Sequence, residues 1–242
     1  MTSTSRKVIA VLGAGPGLGM SMARRFGREG FAVALVSRTD ARHAGYRAEL
    51  AADGVDSRSY AADVTDPDQV RAVLARIVAD LGEIDTMYYG PAAMNAGSAV
   101  VPLADADAAA VRAPFESVVL PAVDVVTAAL PPMLERGDGA LFFGGGLSGL
   151  RPMPMLGSLA PASAALRMYV LTLAAAVQEQ GVYAATLTIG GLIERGDIHR
   201  MFTEQGASLP TLDPDEIADT AWHMYLARDE AEAVFDVITA AA

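Results

Sequence analysis

Residues Val8–Phe26 read VIAVLGAGPGLGMSMARRF, and their order decides the fold. An apolar, β-branched run (Lys7–Leu12) enters a turn holding Gly13, Gly15, Gly17 and Gly19, and an amphipathic run leaves it. Glycine lets backbone approach a ligand closely and adopt strained dihedrals. A helix that starts on such a turn presents free N–H groups and a positive dipole end to a pyrophosphate. The spacing is not GxGxxG. The fit is GxxxGxG, on Gly13, Gly17 and Gly19, with Gly15 and Leu18 between them. Between a first strand and a first helix, that turn predicts a dinucleotide site.

The rest of the chain repeats the alternation. Strands are predicted at Lys7–Leu12, Ala32–Ser37, Arg58–Ala61, Thr86–Tyr89, Ala140–Phe143, Tyr183–Ile189 and Ala233–Ile238. Helices are predicted at Leu18–Glu29, Ala41–Ala52, Pro67–Leu81, Pro114–Glu135, Ser158–Gln180 and Asp215–Ala227. Strand and helix in turn predict a Rossmann-like, doubly wound parallel sheet of about seven strands with helices on both faces. Asp66-Pro67 and Asp213-Pro214 carry helix-start chemistry, and Gly30, Gly54, Gly137 and Gly181 stand where helices should stop. No repeat or long linker divides the 242 residues, so one domain is expected. The stretch 192–212 is the least regular, and a loop of that length suits a substrate lid.

Composition narrows the partners. The net charge of −11 argues against nucleic acid and anionic membrane, because phosphates reward clustered Lys and Arg. No run of apolar residues reaches the ~18 of a membrane span. The N-terminus lacks a signal-peptide layout, and the chain has no cysteine. A cytoplasmic location is therefore expected. His43, His199 and His223 lie far apart without ligand spacing, so no metal is expected.

The second strand ends in ALVSRT. An acid there would bind a ribose 2′-hydroxyl, whereas a basic residue accommodates a 2′-phosphate. Ser37 and Arg38 occupy the place, which favours NADP(H) over NAD(H). The third strand ends in ADVTD. Asp63 is a candidate for the adenine amino group, with Val64 against the ring; Asp63 also suits a turn.

With these pieces, the chain resembles the short-chain dehydrogenase/reductase family over nearly its whole length. The carrying residues are LGAGPGLG, SRT, ADVTD, TAALPPM (Thr127–Met133) and SAALRMYVLTLAAAV (Ser163–Val177). It is most similar to a divergent branch that begins GAGPGLG and ends with a helix such as DPDEIADTAWHMYL (Asp213–Leu226). The resemblance implies a nicotinamide cofactor, a small-molecule substrate and hydride transfer. It also implies a homodimer or homotetramer built on the two long central helices.

The family's catalysis uses Asn, Ser, Tyr and Lys. Aligned on their neighbours, those positions hold Val118, Gly146, Leu159 and Ser163. The usual NNAG after the fourth strand reads YYGP (Tyr88–Pro91), and the MNAG at Met94–Gly97 lies too far on to replace it. Leu159 and Ser163 are i and i+4 and share a helix face. Leu159 can donate nothing, and Ser163 is left to hold a ribose hydroxyl. Substitute donors are Tyr88, Tyr89, Ser148 and Ser158, with the two tyrosines sent to opposite faces by strand alternation. Met153, Met155, Met201 and Phe202 are candidates for an apolar pocket or for ordinary core. Arg151, Glu194 and Arg195 are candidates for a polar substrate group.

Three functions fit. One is an NADP(H)-dependent reductase with a non-standard active site, acting on an iminium or a conjugated substrate. The second is a non-catalytic NADP(H)-binding module. The third is a lyase or cyclase that uses the pocket alone.

Overall fold

The computed structural model describes residues 6–91 and 100–238. The MNAG at Met94–Gly97 lies outside them. The first strand, β1 (Val8–Leu12), is fully buried and pairs in parallel with β2 (Ala32–Ser37) on one side and β4 (Thr86–Tyr89) on the other. Such two-sided burial is what a continuous apolar run predicts for a parallel sheet. Outward from there lie β3 (Ser57–Ala61), β5 (Gly139–Gly146), β6 (Val182–Gly190) and β9 (Glu232–Asp236). The order is β3-β2-β1-β4-β5-β6-β9, with every pairing parallel. This is a doubly wound α/β sheet, and its order reverses between β1 and β4, where a crevice forms at the strand C-termini.

Helices cover both faces. On one face α1 (Leu18–Arg28), α2 (His43–Ala52) and α8 (Pro214–Ala227) bury Met22, Phe26, Leu50 and Ile217 against Ile9, Val11 and Val33. Phe26 meets Phe31, Phe142, Trp222 and Tyr225 edge to face, which anchors α1 and α8 together. On the other face α3 (Pro67–Leu81), α5 (Leu120–Arg136) and α6 (Ala160–Val177) bury Val70, Val125, Met133 and Val170 against Val8, Ala10 and Leu12.

The capping residues act as their types dictate. Asp66 accepts from the N–H groups of Asp68 and Gln69 at 2.9 and 3.2 Å, ahead of Pro67. Asp213 accepts from Asp215 at 2.9 Å. Gly137 ends α5 in the left-handed region at φ +65°.

Several elements differ from the sequence reading. The fifth strand runs on past Phe143 through Gly144, Gly145 and Gly146, because each pairs with β6 out to Ile189. The long central helix begins earlier, at α4 (Ala108–Pro114), whose cap Asp107 accepts from Ala110 N–H at 2.8 Å. Pro114 has no N–H for the helical ladder, and a π turn (Phe115–Val119) follows it into α5. The next helix starts at Ala160 rather than Ser158, after a 3₁₀ segment over Pro154–Leu159, so Leu159 is its N-cap.

The stretch 192–212 is not an irregular loop. It holds β7 (Leu192–Ile193), α7 (Asp197–Glu204) and β8 (Thr211–Leu212), with β7 and β8 paired in a small parallel ladder. The two long helical runs, Ala108–Arg136 and Pro154–Gln180, are apolar and long enough to cross a membrane by length and composition. Each contributes core residues packed against the sheet, Val125 and Val170 among them, and Leu120 and Met168 lie exposed on them.

Candidate active site

The glycine turn is built by contact. At φ +102°, Gly13 has its Cβ position 2.6 Å from the backbone of Gly90. The Cβ position of Gly19 lies 2.5 Å from the Gly13 carbonyl, and that of Gly17 lies 2.8 Å from Ile193. Gly15 meets nothing nearer than 3.9 Å. Three glycines are therefore required by packing, and they are the three of GxxxGxG. The N–H groups of Gly13 and Ala14 bond the Val36 carbonyl at 3.0 and 2.9 Å, which ties the turn to the end of β2. In the first turn of α1 the Met20 N–H bonds back to the Gly15 carbonyl at 3.0 Å, and the helix start, whose first N–H groups have no partner within the helix, opens on the turn.

Two cavities flank this turn and share Gly13, Gly15 and Asp197. One, of about 240 Å3, is lined by Ser37, Arg38, Asp63 and Val64. All four residues read from the sequence as an adenosine site thus meet in one place. Asp63 also serves as a turn residue, since its Oδ1 accepts from the N–H and the hydroxyl of Thr65 at 2.9 and 2.8 Å. Ser37 Oγ donates to the Thr39 carbonyl at 2.9 Å, so the 2.7 Å contact with His43 Nε2 is a bond donated by the imidazole. Burial pushes the His43 pKa down, against a smaller opposing pull from Asp40.

The second cavity is a cleft of about 330 Å3. Val118, Gly146, Leu159 and Ser163 all line it, beside Gly17, Leu18 and Gly19. The four positions aligned one by one from the sequence therefore meet in one cleft. The cleft is mostly apolar. Its only ionisable lining residues, among those described, are Tyr88 and Asp197.

The four substitute donors separate clearly. Tyr88 lines the cleft, is 3% exposed, and has no hydrogen-bond partner for its hydroxyl among the described residues. Burial alone pushes its pKa up, so the phenol stays neutral and donating. Tyr89 points to the other face and does not line the cleft; its hydroxyl donates to the Val118 carbonyl at 3.0 Å. Ser148 lines the cleft at 8% exposure, and its Oγ is buried without a partner. Ser158 is turned away, exchanging bonds with Val101 through its N–H and Oγ at 2.8 and 3.3 Å. Ser163 lines the cleft while its Oγ donates back to the Leu159 carbonyl at 3.2 Å. Where residue 146 would carry a side chain, the Cβ position is 3.4 Å from Ser163 Oγ and 3.6 Å from Ser148 Oγ. The two hydroxyls thus face the space that glycine leaves open.

Other candidates serve the scaffold. Arg195, at φ +64°, bonds Asp213 at 3.2 Å and Asp215 at 2.8 Å, so it pins the segment before α7 to α8. Glu194 accepts from Thr211 at 2.8 Å, and Arg151 pairs with Asp236 at 3.5 Å. Met153 is core, Met155 is exposed, and neither they nor Met201 and Phe202 line the cleft. Leu156, Ile189, Ile193 and Asp197 line it without having been singled out. Only the strand-helix order placed Ile189 near the site, and Asp197 had no distinguishing neighbour in sequence. Among the described residues, no cluster of three or more His, Asp or Glu could hold a metal ion.

Known proteins share this architecture. The chain is 26% identical to a short chain dehydrogenase of Pseudocercospora fijiensis over 192 residues, 77% of this chain but only 60% of that protein's length. It is 26% identical to the 2,5-dichloro-2,5-cyclohexadiene-1,4-diol dehydrogenase LinX of Sphingobium indicum, over 96% of this chain and 92% of that one. Its fold superposes on that of an actinorhodin polyketide ketoreductase solved with NADPH, with TM-score 0.84, 20% identity, and coverage of 98% and 97%. The family model described as short chain dehydrogenase matches residues 7–196, from the first strand past the cleft-lining Ile193, and the chain belongs to that family.

Proposed function

We propose that the protein is an NADP(H)-dependent oxidoreductase whose active site lacks the family's usual proton donor. The observation that carries this reading is the pairing of two cavities on one glycine turn: one holds Arg38, and the other, among the described residues, holds no cation and only Tyr88 and the ion-paired Asp197 as ionisable groups. Gly13, Gly17 and Gly19 would hold the diphosphate, Ser37 and Arg38 the 2′-phosphorylated ribose, Asp63 and Val64 the adenine, and Ser163 a hydroxyl of the second ribose. The bound cofactor would supply a hydride.

The chain's own residues limit what can receive it. At the tetrad positions, Val118, Gly146 and Leu159 hold and move no proton. Tyr88 and Ser148 each offer a neutral hydrogen bond to a substrate atom. That set suits an iminium carbon, which needs no proton at the carbon attacked, or a conjugated alkene oriented by one oxygen, whose enolate then takes its proton from water. The apolar lining selects a largely apolar substrate. The exposed apolar residues Leu120 and Met168 on the long helices support a homodimer or homotetramer.

A second reading, a non-catalytic NADP(H)-binding module, is favoured by the same scarcity of ionisable groups in the cleft, where the described lining offers only Tyr88 and Asp197. Titrating NADPH by its fluorescence, then assaying cyclic imines, 2-cyclohexen-1-one and simple ketones, separates the two. The reductase reading expects binding, with turnover of an imine or enone and negligible turnover of ketones. Binding with no turnover of any would leave the module. No binding would defeat both.

A further inference from the structure

Two arginines stand on the segment that follows β2. Arg38 lines the adenosine-side cavity, and Arg42 is the N-cap of α2. Arg42 Nη1 donates to both carboxylate oxygens of Asp197, at 2.7 and 3.0 Å. Asp197 begins α7 and lines both cavities. The pair therefore ties the start of α2 to the start of α7 at a residue that both cavities share, with Arg42 itself among the lining of neither. Asp197 sits close to the glycine turn, since the Gly17 Cβ position is 3.2 Å from the neighbouring Gly196 Cα. The first turn of α2 is held at the groove by the bond between His43 and Ser37.

A carboxylate on a guanidinium beside a phosphate-binding turn occupies a place suited to a phosphate. The pair is about half exposed on both sides, 51% and 54%, so water screens it and its net worth is small. A phosphate monoester brings more charge and three acceptor oxygens to the same planar fork. Asp197 keeps a second partner, Arg200 at 3.0 Å, when Arg42 leaves it.

We infer that Arg42 selects the cofactor by exchange: the 2′-phosphate of NADP(H) takes the guanidinium from Asp197, and NAD(H), which lacks that phosphate, cannot. The inference rests on the NADP(H) reading above and adds to it a second cation and an internal competitor. Only ion pairs are made and broken.

The test is to titrate NADPH and NADH separately into wild type, Arg42→Ala, Arg42→Lys and Asp197→Asn, following nicotinamide fluorescence, with thermal melts to confirm folding. Arg42→Ala should weaken NADPH about tenfold, the scale of one charge-assisted bond, and NADH by less than about twofold. Arg42→Lys should fall between wild type and Arg42→Ala. Asp197→Asn should tighten NADPH about threefold more than NADH, the scale of one exposed ion pair. Equal losses for both cofactors in Arg42→Ala would overturn the inference. So would a selective loss there without the selective gain in Asp197→Asn. Failure of the wild type to bind either cofactor would show first, and would sink the NADP(H) reading together with this one.

Discussion

The Tyr89 hydroxyl donates to the Val118 carbonyl at 3.0 Å, in the π turn that leads into α5. The neighbouring tyrosine does the opposite, leaving its hydroxyl unpaired in the cleft. Tyr89→Phe should therefore cost about 1 kcal/mol of stability, the worth of one buried hydrogen bond, and leave NADPH binding unchanged. Tyr88→Phe should leave stability nearly unchanged and lower turnover of any substrate the protein accepts. Urea denaturation and steady-state rates on both variants check the contrast.

The glycine turn makes a graded prediction. Gly13→Ala places a methyl 2.6 Å from the Gly90 backbone at a positive φ, and should cost at least about 1–3 kcal/mol or prevent folding. Gly19→Ala meets the Gly13 carbonyl and should disrupt the turn similarly. Gly15→Ala has open space around it and should melt within a few degrees of wild type. Thermal melts of the three rank them.

The empty place at residue 146 is open to repair. A serine there meets only ordinary contacts with Ser163 and Ser148. The combined variant Val118→Asn, Gly146→Ser, Leu159→Tyr, Ser163→Lys should fold and gain NADPH-dependent ketone reduction over wild type. Rates on a cyclic ketone measure the gain. A folded, NADPH-binding quadruple variant with no gain would count against the alignment of these four positions.

The bridge between α6 and β9 sets a pH dependence. Arg167 donates to both oxygens of Glu232 at 2.8 and 2.5 Å, and Thr188 adds a bond at 2.6 Å. The Arg167 bond holds the Glu232 carboxyl below its usual range, against the opposing effect of burial. A carboxyl depressed in the folded state contributes stability above its unfolded value of about 4.3 and loses it as pH falls through the folded value. Glu232→Gln should thus be less stable than wild type by about 1–3 kcal/mol at neutral pH. The gap should narrow below about pH 4. Melts from pH 3 to 7 on both proteins read it.

Much of this was legible in the residues, for reasons that differ by element. The strand starting at Val8 announced itself because a strand buried on both faces must be apolar throughout. Asp66-Pro67 and Asp213-Pro214 marked helix starts because capping is local. Gly144–Gly146 gave no strand signal, since their extension depends on pairing with β6, which is a matter of tertiary structure. The early start at Ala108 depends on a single cap, Asp107, that is indistinct in a run of Asp and Ala. At the site, alternation separated Tyr88 from Tyr89 but could not say which one entered the cleft. Ser148 and Ser158 looked equivalent as serines; only the partner that Val101 supplies to Ser158 tells them apart. Asp197 carries no local mark in the sequence, because its partner Arg42 lies 155 residues away in the chain.

One edge of the sheet bears on how molecules of this protein meet. Among the described residues β3 pairs with β2 alone, and its Arg58 pairs with Asp80 of α3 at 3.2 Å. Ser57, Arg58 and Ser59 make most of the short strand polar, and its large apolar side chain, Tyr60, is buried in the core. A strand so marked is a poor template for foreign backbone, which guards a seven-stranded parallel sheet against amyloid-like growth.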